Sequence, residues 1–296
     1  MDYPLEHHTV PTNGLRLHVV QCGPANGPLV VLLHGFPEFW YSWRAQLPAL
    51  AAAGYRVWAP DQRGYNLSDK PLKIKDYVLP TLAADIIGLL DAADCRQAFI
   101  VGHDWGGIVA WYLAAHYPQR VARATILNVP HPAVVGPSLW RVPDQLLRSW
   151  YILFFQLPSL PEWLLRRRNW RWGEQALRRT SRPGTFGAAE VARYKVAWAQ
   201  PGAAAAMVNW YRALRRPAGT WPPIRVPVQV LWGQRDAFLN ARLAKISLTQ
   251  CQDGRLHYFP EATHWVQLEE AAGVNARLLN FMAESAAVTP ATTLPA

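Results

Sequence analysis

One acidic residue, Asp104, stands where it could act as a nucleophile. It lies between an apolar run at 98–101 and a stretch with helical spacing of apolar residues at 108–117. The segment Gly102-His103-Asp104-Trp105-Gly106-Gly107 has the glycines that a sharp strand-to-helix turn needs, and such a turn lifts its central side chain above the sheet. A carboxylate is charged at neutral pH and can attack a saturated carbon without a base, whereas serine here would indicate an esterase. The plainer alternative is that Asp104 only caps the following helix.

A second turn, His34-Gly35-Phe36-Pro37-Glu38, offers backbone donors near the same place. It follows the apolar run 29–33, at the carboxyl end of a predicted strand, where ligands bind in open α/β sheets. The amides of Phe36 and Trp105 could form an oxyanion hole that stabilises the negative oxygen formed during ester hydrolysis. This pattern could also be an ordinary turn. The oxyanion-hole interpretation therefore requires that the turn lie next to Asp104 in the fold.

An acid and a histidine follow in the order nucleophile, acid, base. Asp236 comes just after the apolar run 226–232, and His264 lies twenty-eight positions later. Asp236 could orient the imidazole of His264, which could act as general base. A single loop Asp or His is more often a solvated surface group, so the assignment depends on their joint placement. Of the other histidines, His34 and His103 are predicted to make local backbone hydrogen bonds.

The elements that must position these residues form a repeated strand-helix pattern. Continuous apolar runs are typical of strands that are covered on both faces, as in a parallel sheet. Helical spacing between the runs predicts an α/β fold with a mostly parallel sheet flanked by helices. The apolar runs are 29–33, 55–59, 98–101, 124–127 and 226–232, with a short one at 256–259, and the helical stretches are 43–53, 79–93 and 108–117.

The strand-helix pattern stops between Pro132 and Pro222. This stretch is rich in Trp, Arg, Pro and Ala and has no comparable apolar run. We therefore predict a helical cap at 133–221, inserted into a core domain formed by 1–132 and 222–285. The tail at 286–296 is small, polar and proline-bearing, and it is predicted to be flexible.

Composition restricts the class of protein. Hydrophobic residues make up 51% of the chain and charged residues 17%, a balance typical of compact globular proteins. No apolar stretch reaches the roughly 20 residues that span a bilayer, and the first ten residues do not resemble a secretory signal, so we expect a cytoplasmic protein without membrane insertion. Three widely spaced cysteines indicate neither a disulfide framework nor a zinc site. We expect no metal and no organic cofactor.

The net charge of the chain is concentrated in the predicted cap. Residues 133–221 hold thirteen arginines, one lysine and four acids, which account for the whole net charge of +10. One interpretation is a solvated helical face whose arginine stems cover apolar surface. The alternative is contact with anionic lipid surfaces or acidic substrates, because basic and aromatic residues alternate there: Trp163, Arg166, Arg167, Arg168, Trp170, Arg171 and Trp172. Nucleic-acid binding is not expected, since no recognised reading module accompanies the charge.

Together these motifs resemble the soluble epoxide hydrolases of the α/β-hydrolase superfamily, over about residues 10–282. The resemblance implies the α/β-hydrolase fold, with eight strands and an inserted cap. Trp150-Tyr151 with Phe155-Gln156 resembles the family's first cap-tyrosine motif, and Asn209-Trp210-Tyr211-Arg212 its second. The resemblance thus assigns Tyr151 and Tyr211 to the epoxide oxygen; without it, both would be interpreted as packing aromatics. It also implies that the substrate contacts Phe36, Trp105, Phe155 and Trp210.

The resemblance implies hydrolysis of an apolar epoxide to a vicinal diol in two steps. Asp104 forms an ester with the substrate, and water activated by His264 then hydrolyses it. The main alternative is a haloalkane dehalogenase, which shares the aspartate nucleophile, although many of these enzymes carry a polar halide-facing residue where this chain has Phe36. A non-catalytic binding protein of the same fold is a more remote alternative, because such proteins typically lose triad residues.

Overall fold

A computed structural model describes residues 3–140, 142–216 and 219–284. An eight-stranded sheet with the order β1-β2-β4-β3-β5-β6-β7-β8 forms its centre. The predicted eight-stranded, mostly parallel sheet is therefore confirmed, and each predicted apolar run falls on a strand. The strands are β1 Glu6–Thr12, β2 Leu15–Cys22, β3 Leu29–Leu33, β4 Arg56–Pro60, β5 Ala98–His103, β6 Val121–Leu127, β7 Val228–Gly233 and β8 Gly254–Phe259.

Strands β3 to β8 run parallel, whereas β1 and β2 form an antiparallel hairpin and β2 also pairs antiparallel with β4. The hairpin turn is Asn13-Gly14, and both residues have positive φ, 45° and 75°. Two-residue turns with this sequence match the twist of paired strands. The analysis of apolar runs did not identify these two strands, although the Asn-Gly pair is a signal for such a turn.

Helices cover both faces of the sheet. Side chains of β3 alternate between two apolar clusters: Val31 and Leu33 pack with residues of α2 and α3, and Val30 and Leu32 pack with residues of α1 and α12. Burial on both faces explains why the strand sequence is continuously apolar. The helices are α1 Gln46–Ala52, α2 Leu79–Ala92, α3 Trp105–His116, α4 Pro132–Ser138, α5 Asp144–Arg148, α6 Trp150–Phe154, α7 Leu160–Thr180, α8 Ala188–Trp198, α9 Ala203–Ala213, α10 Arg242–Ser247, α11 Val266–Glu269 and α12 Ala271–Ala283.

The segment between β6 and β7 contains helices α4 to α9, and its described residues form no strand of the sheet. Helix α7 consists of two helical parts, because Arg167 has ψ of 143° and the next three residues have positive φ. This helical content agrees with the composition of the predicted cap. The exact domain bounds stay a prediction, and the predicted tail at 286–296 lies outside the described residues. No helix among the described residues is long and apolar enough to cross a membrane.

The strand order places the ends of β3 and β5 side by side. The chain passes from β3 to β4 on one side and then crosses back to β5 on the other. A crevice therefore opens above the carboxyl ends of β3 and β5, which is where ligands bind in sheets of this kind. The turns at Phe36 and Asp104 follow these two strands and meet at this crevice.

A buried ion pair fixes the loop after β4. The guanidinium of Arg63 donates to both carboxylate oxygens of Asp85 on α2, at 2.7 and 2.6 Å. Only 6% of the Arg63 side chain and 2% of the Asp85 side chain are exposed. The carbonyl oxygen of Arg63 accepts a hydrogen bond of 3.0 Å from the indole of Trp210 on α9. The pair therefore also supports the packing of the cap helix against the core.

We predict that Asp85→Asn lowers the free energy of unfolding by about 3–5 kcal/mol, because it leaves the Arg63 guanidinium buried without its counter-charge. Urea unfolding followed by circular dichroism measures this change. The matched control is Asp91→Asn on the same helix, where the pair with Arg120 is 63% exposed on the acid side and the expected change is about 1 kcal/mol or less. Equal losses for the two variants would contradict the prediction.

Candidate active site

Asp104 occupies a tight turn between β5 and α3. Its backbone has φ of 49° and ψ of −120°, a left-handed region that non-glycine residues rarely adopt. The turn brings α3 so close to the sheet that a Cβ atom at Gly106 would overlap the carbonyl oxygen of Leu33. The sequence prediction of a strained strand-to-helix turn at Asp104 agrees with this geometry.

The two carboxylate oxygens of Asp104 have different surroundings. Oδ1 accepts a hydrogen bond of 2.8 Å from the amide of Phe36, and the amide of Trp105 also hydrogen-bonds this carboxyl group. Oδ2 lies 3.7 Å from Nε2 of His264. The two amides predicted to form an oxyanion hole therefore converge on Asp104 itself, and Oδ2 is the oxygen directed away from the Phe36 amide.

Burial raises the pKa of Asp104, and the charges of His264 and His103 and the two amide donors oppose this rise. A carboxylate with fewer water molecules around it is a stronger nucleophile than a fully hydrated one. The two amide donors and the charges of the histidines stabilise the anionic form of Asp104 in the buried site.

His264 and Asp236 form a buried pair beside Asp104. Nδ1 of His264 lies 2.7 Å from Oδ2 of Asp236, and at most 3% of either side chain is exposed. Burial alone would lower the pKa of His264, but the charge and hydrogen bond of Asp236, followed by the charge of Asp104, raise it to about 9. Burial likewise opposes ionisation of Asp236, yet His264 and other donors lower its pKa below the ordinary value.

Asn128 is a third member of this buried group, and the sequence motifs did not identify it. It follows β6 with φ of 46°, and its amide nitrogen donates to Oδ2 of Asp236 at 2.7 Å. Its amide oxygen accepts from the backbone of Gly233 at 2.8 Å. Asn128 thus holds the acid on the loop after the neighbouring strand. Its only signal in the sequence is a polar residue just after an apolar run.

His103 has a role that differs from the prediction. Its Nδ1 lies 2.6 Å from the carboxylate of Glu38, and its Nε2 lies 2.8 Å from the carbonyl oxygen of His264. The expectation of only local backbone bonds is therefore wrong for His103, whose partners are distant in sequence. For His34 it holds in part, since Nδ1 lies 2.9 Å from the carbonyl oxygen of Gly35, whereas Nε2 accepts from the distant amide of Gln62 at 3.0 Å. His103 connects the turn after β3 to the loop that carries His264.

Both predicted tyrosines face the same cavity as Asp104 and His264. The ring centres of Tyr151 and Tyr211 are 5.8 Å apart, and the carboxamide of Gln156 donates to the backbone oxygen of Tyr211 at 2.9 Å. Burial, and then the charge of Asp104, raises the pKa of each phenol well above its ordinary value. Both hydroxyls therefore stay protonated at neutral pH and are able to donate.

The cavity that these residues enclose has a volume of about 260 Å³. Its polar groups are few, and they converge where the core meets the cap, an arrangement typical of sites for small apolar molecules. Its walls are mainly apolar and aromatic, including Phe36, Tyr151, Phe155, Trp172, Tyr211, Phe238 and Trp265. Among the described residues, no cluster of three or more His, Cys, Asp or Glu side chains could hold a metal ion.

Two predicted substrate contacts need correction. The side chains of Trp105 and Trp210 do not line this cavity but pack edge to face against each other, at 5.5 Å, behind Tyr211. The physical reason is helix geometry, since neighbouring residues on a helix point in directions about 100° apart, so Trp210 and Tyr211 cannot both face inward. The Trp105 ring contacts Tyr211 at 5.1 Å and therefore supports the tyrosine. Phe36 and Phe155 line the cavity, and their contact with a substrate stays a prediction.

Comparisons with known proteins identify the family. The family model described as the α/β-hydrolase fold matches residues 28–271. A Bacillus subtilis protein called AB hydrolase superfamily protein YfhM is 47% identical over 92% of this chain and 96% of its own length. Epoxide hydrolase 4 from mouse is 35% identical over 92% of this chain and 77% of its own length.

Among solved structures, a variant of an epoxide hydrolase from Bacillus megaterium has a TM-score of 0.84 and 28% identity, covering 93% of this chain and 99% of that one. It was solved in complex with its product, a naphthyloxy-propanediol. The two relatives and this structure each match more than nine-tenths of this chain. The chain therefore belongs to the α/β-hydrolase superfamily and, within it, to the epoxide hydrolase family.

Proposed function

We propose that this protein hydrolyses apolar epoxides to vicinal diols through a covalent ester on Asp104. The observation that carries the proposal is the joint lining of one apolar cavity by Asp104 and His264 from the core and by Tyr151 and Tyr211 from the cap. The diol held by the Bacillus megaterium relative belongs to the product class that we propose here.

In the first step, Oδ2 of Asp104 attacks an epoxide carbon. A carbon–oxygen bond forms to the carboxylate while the carbon–oxygen bond of the strained ring breaks. The leaving alkoxide needs a proton as it forms, and the protonated phenols of Tyr151 and Tyr211 supply it. Oδ2 suits this role, because Oδ1 is held by the Phe36 amide. The product of this step is a hydroxyalkyl ester.

In the second step, His264 takes a proton from water, and the hydroxide attacks Cγ of the Asp104 ester. The negative charge that develops on Oδ1 is stabilised by the amides of Phe36 and Trp105, which already contact this carboxyl group. Collapse of this intermediate releases the diol and restores the carboxylate. As Asp104 regains its negative charge, His264 keeps this proton, and the tyrosine that lost one is reprotonated by the proton that His264 released to solvent when the ester formed. Each step uses groups of the protein and water.

Esterification itself provides a switch for His264. With Asp104 and Asp236 both ionised, His264 has a pKa of about 9 and is protonated at neutral pH, so it cannot act as a base. Forming the ester removes the negative charge of Asp104, which disfavours the imidazolium and lowers its pKa. His264 therefore releases its proton to solvent more readily once the ester has formed, and the neutral imidazole can then act as the base.

The dehalogenase alternative is less compatible with this site. Where many dehalogenases carry a polar halide-facing residue, Phe36 places an aromatic ring on the cavity wall, and the Trp105 ring lies behind Tyr211. Two protonated phenols supply the proton that an epoxide alkoxide needs, whereas a halide leaves as a stable anion without one. Halide release from haloalkanes, measured beside diol formation from styrene oxide, separates the two activities, and a non-catalytic protein would give neither.

We predict that His264→Gln accumulates the ester on Asp104 when mixed with styrene oxide, because hydrolysis of the ester requires the base but its formation does not. Intact mass spectrometry should show one added substrate mass, and peptide mapping should place it on Asp104. His257→Gln, on β8, is the control and should turn over without accumulating an adduct. An adduct on another residue, or diol formation at the wild-type rate, would rule out this mechanism.

We predict that Tyr151→Phe and Tyr211→Phe each slow ester formation on the order of 100-fold, and the double variant more, because the alkoxide loses a proton donor. Single-turnover measurements in the His264→Gln background isolate this step. Tyr112→Phe, whose ring lies outside the cavity, should leave the rate unchanged. If both cap variants react at the parent rate, the tyrosines are packing residues only.

We predict that Asp104→Asn lowers the pKa of His264 from about 9, since loss of a neighbouring negative charge disfavours the imidazolium. Titration of the His264 ring followed by NMR measures the change, and intact mass verifies that the amide is preserved. Asp91→Asn removes a distant surface charge and should leave the pKa in place. An unchanged or raised pKa in Asp104→Asn would contradict the proposed switch.

A further inference from the structure

The outer face of the cap carries an apolar surface that the other described residues do not cover. Helices α5 and α6 expose Leu146, Leu147, Trp150 and Leu153, with 61%, 78%, 57% and 71% of each residue accessible to solvent. We call these four residues the apolar face. Exposed apolar clusters of this kind are typical of surfaces that bind a partner or a membrane.

The apolar face also borders the cavity that contains Asp104, and we take the side where the two meet as the cavity entrance. Leu147 and Trp150 belong both to this face and to the wall of the cavity that contains Asp104. The two residues are therefore in contact with solvent on one side and with the substrate site on the other. A molecule that covered the apolar face would lie directly over the entrance.

A cluster of positive charge lies beside the apolar face. Trp150 packs on Phe154, which packs on Trp172, with ring centres 6.1 and 5.7 Å apart. Trp172 in turn lines a surface depression together with Arg167, Arg168 and Arg171. An exposed indole, Trp163, lies on the same helix under the guanidinium of Arg167.

The arginines of this cluster have no acidic partner. Arg166, Arg167, Arg168 and Arg171 are all exposed, and none of them forms an ion pair with an acid in the described part of the chain. Some other cap cations are paired, as Arg212 is with Glu162 and Lys195 with Glu174. We call these four unpaired residues the arginine cluster. They leave concentrated positive charge next to exposed leucine and tryptophan.

We propose that the apolar face and the arginine cluster bind the surface of a bilayer containing anionic phospholipid, with the cavity entrance directed towards the lipid. Leucine and tryptophan side chains would enter the boundary between headgroups and acyl chains, and the arginines would contact lipid phosphates. Charge complementarity selects this partner, because the arginine cluster would repel a second copy of itself. Given the proposed function, lipophilic epoxides dissolved in the bilayer would reach Asp104 without crossing water.

Vesicle sedimentation of the full-length protein tests this proposal. We expect binding to vesicles made of equal parts phosphatidylcholine and phosphatidylglycerol, weak binding to pure phosphatidylcholine, and weaker binding at high salt. The triple variant Arg166→Gln, Arg167→Gln, Arg171→Gln should lose binding on the order of 100-fold, because each arginine near the surface contributes a factor of about 5. Leu146→Gln with Leu153→Gln should also weaken binding.

The matched control changes net charge equally at another place. Arg96→Gln, Arg225→Gln and Arg277→Gln replace three exposed arginines outside the cap and should bind vesicles like the wild type. Equal binding by the two triple variants, or no preference for anionic vesicles, would overturn the proposal. So would sedimentation equilibrium without lipid that shows self-association lost in Leu146→Gln with Leu153→Gln, since the apolar face would then bind a second copy.

Activity in the absence of vesicles separates this proposal from the proposed function. Styrene oxide dissolved in water reaches the cavity without a membrane, so both triple variants should hydrolyse it at the wild-type rate. If the wild type forms no diol but sediments with anionic vesicles, the proposed function fails while the membrane surface stands. If diol forms normally but no vesicle binding occurs, only the membrane surface fails.

Discussion

The strained backbone of Asp104 is the constraint on which the site depends. A φ of 49° with ψ of −120° costs about 1–3 kcal/mol for a residue with a side chain, and the fold sustains it by clamping both sides of the turn. Upstream, the amide of Asp104 donates to the carbonyl oxygen of Leu127 on β6 at 3.2 Å, and downstream its carbonyl accepts from Ile108 at 3.0 Å. The strain directs the carboxylate out of the sheet, where the Phe36 amide meets it. Without this geometry the chain would have a buried acid but no aligned nucleophile.

A concentration of buried charge is the second feature that needs explanation. Asp104, Asp236, His264, His103 and Glu38 lie within one connected set of contacts. Isolated buried charges are costly, so each acid here has a histidine or several amide donors beside it. Asp236, for example, accepts from Phe238, Leu239 and Asn128 as well as from His264. This arrangement holds the imidazole in one orientation and lets its pKa respond to the charge of Asp104, which is the property the two-step reaction requires.

The sequence predicted those parts of the site that depend on local pattern. Asp104, Asp236 and His264 each follow an apolar run, and in a parallel sheet the carboxyl ends of strands converge, so position along the chain translates into position in space. Contacts between distant segments were not predictable in this way. Asn128 follows an apolar run just as the triad residues do, but only the three-dimensional structure brings it to Asp236. The Tyr211 ring points towards the cavity and the buried Trp210 ring points away from it. These directions depend on the rotation of α9 about its axis relative to the core, and a short motif does not specify that rotation. The Tyr151 and Tyr211 assignments came from family resemblance and not from periodicity.

Hydrogen bonds attach the cap to the core at the loops that carry the proposed catalytic residues and at the loop after β4. Arg148 donates to the carbonyl oxygen of Asp236 at 2.6 Å, Trp198 to that of Pro37 at 2.6 Å, and Trp210 to that of Arg63 at 3.0 Å. Each of these bonds ends beside a residue of the site or its supporting loop, so they fix the tyrosines relative to Asp104 from the inner side of the cap. Leu146, Leu153 and the arginine cluster take no part in these bonds, so their side chains can be changed without removing a contact that fixes the tyrosines. Leu147 and Trp150 differ, because they also line the cavity that contains Asp104.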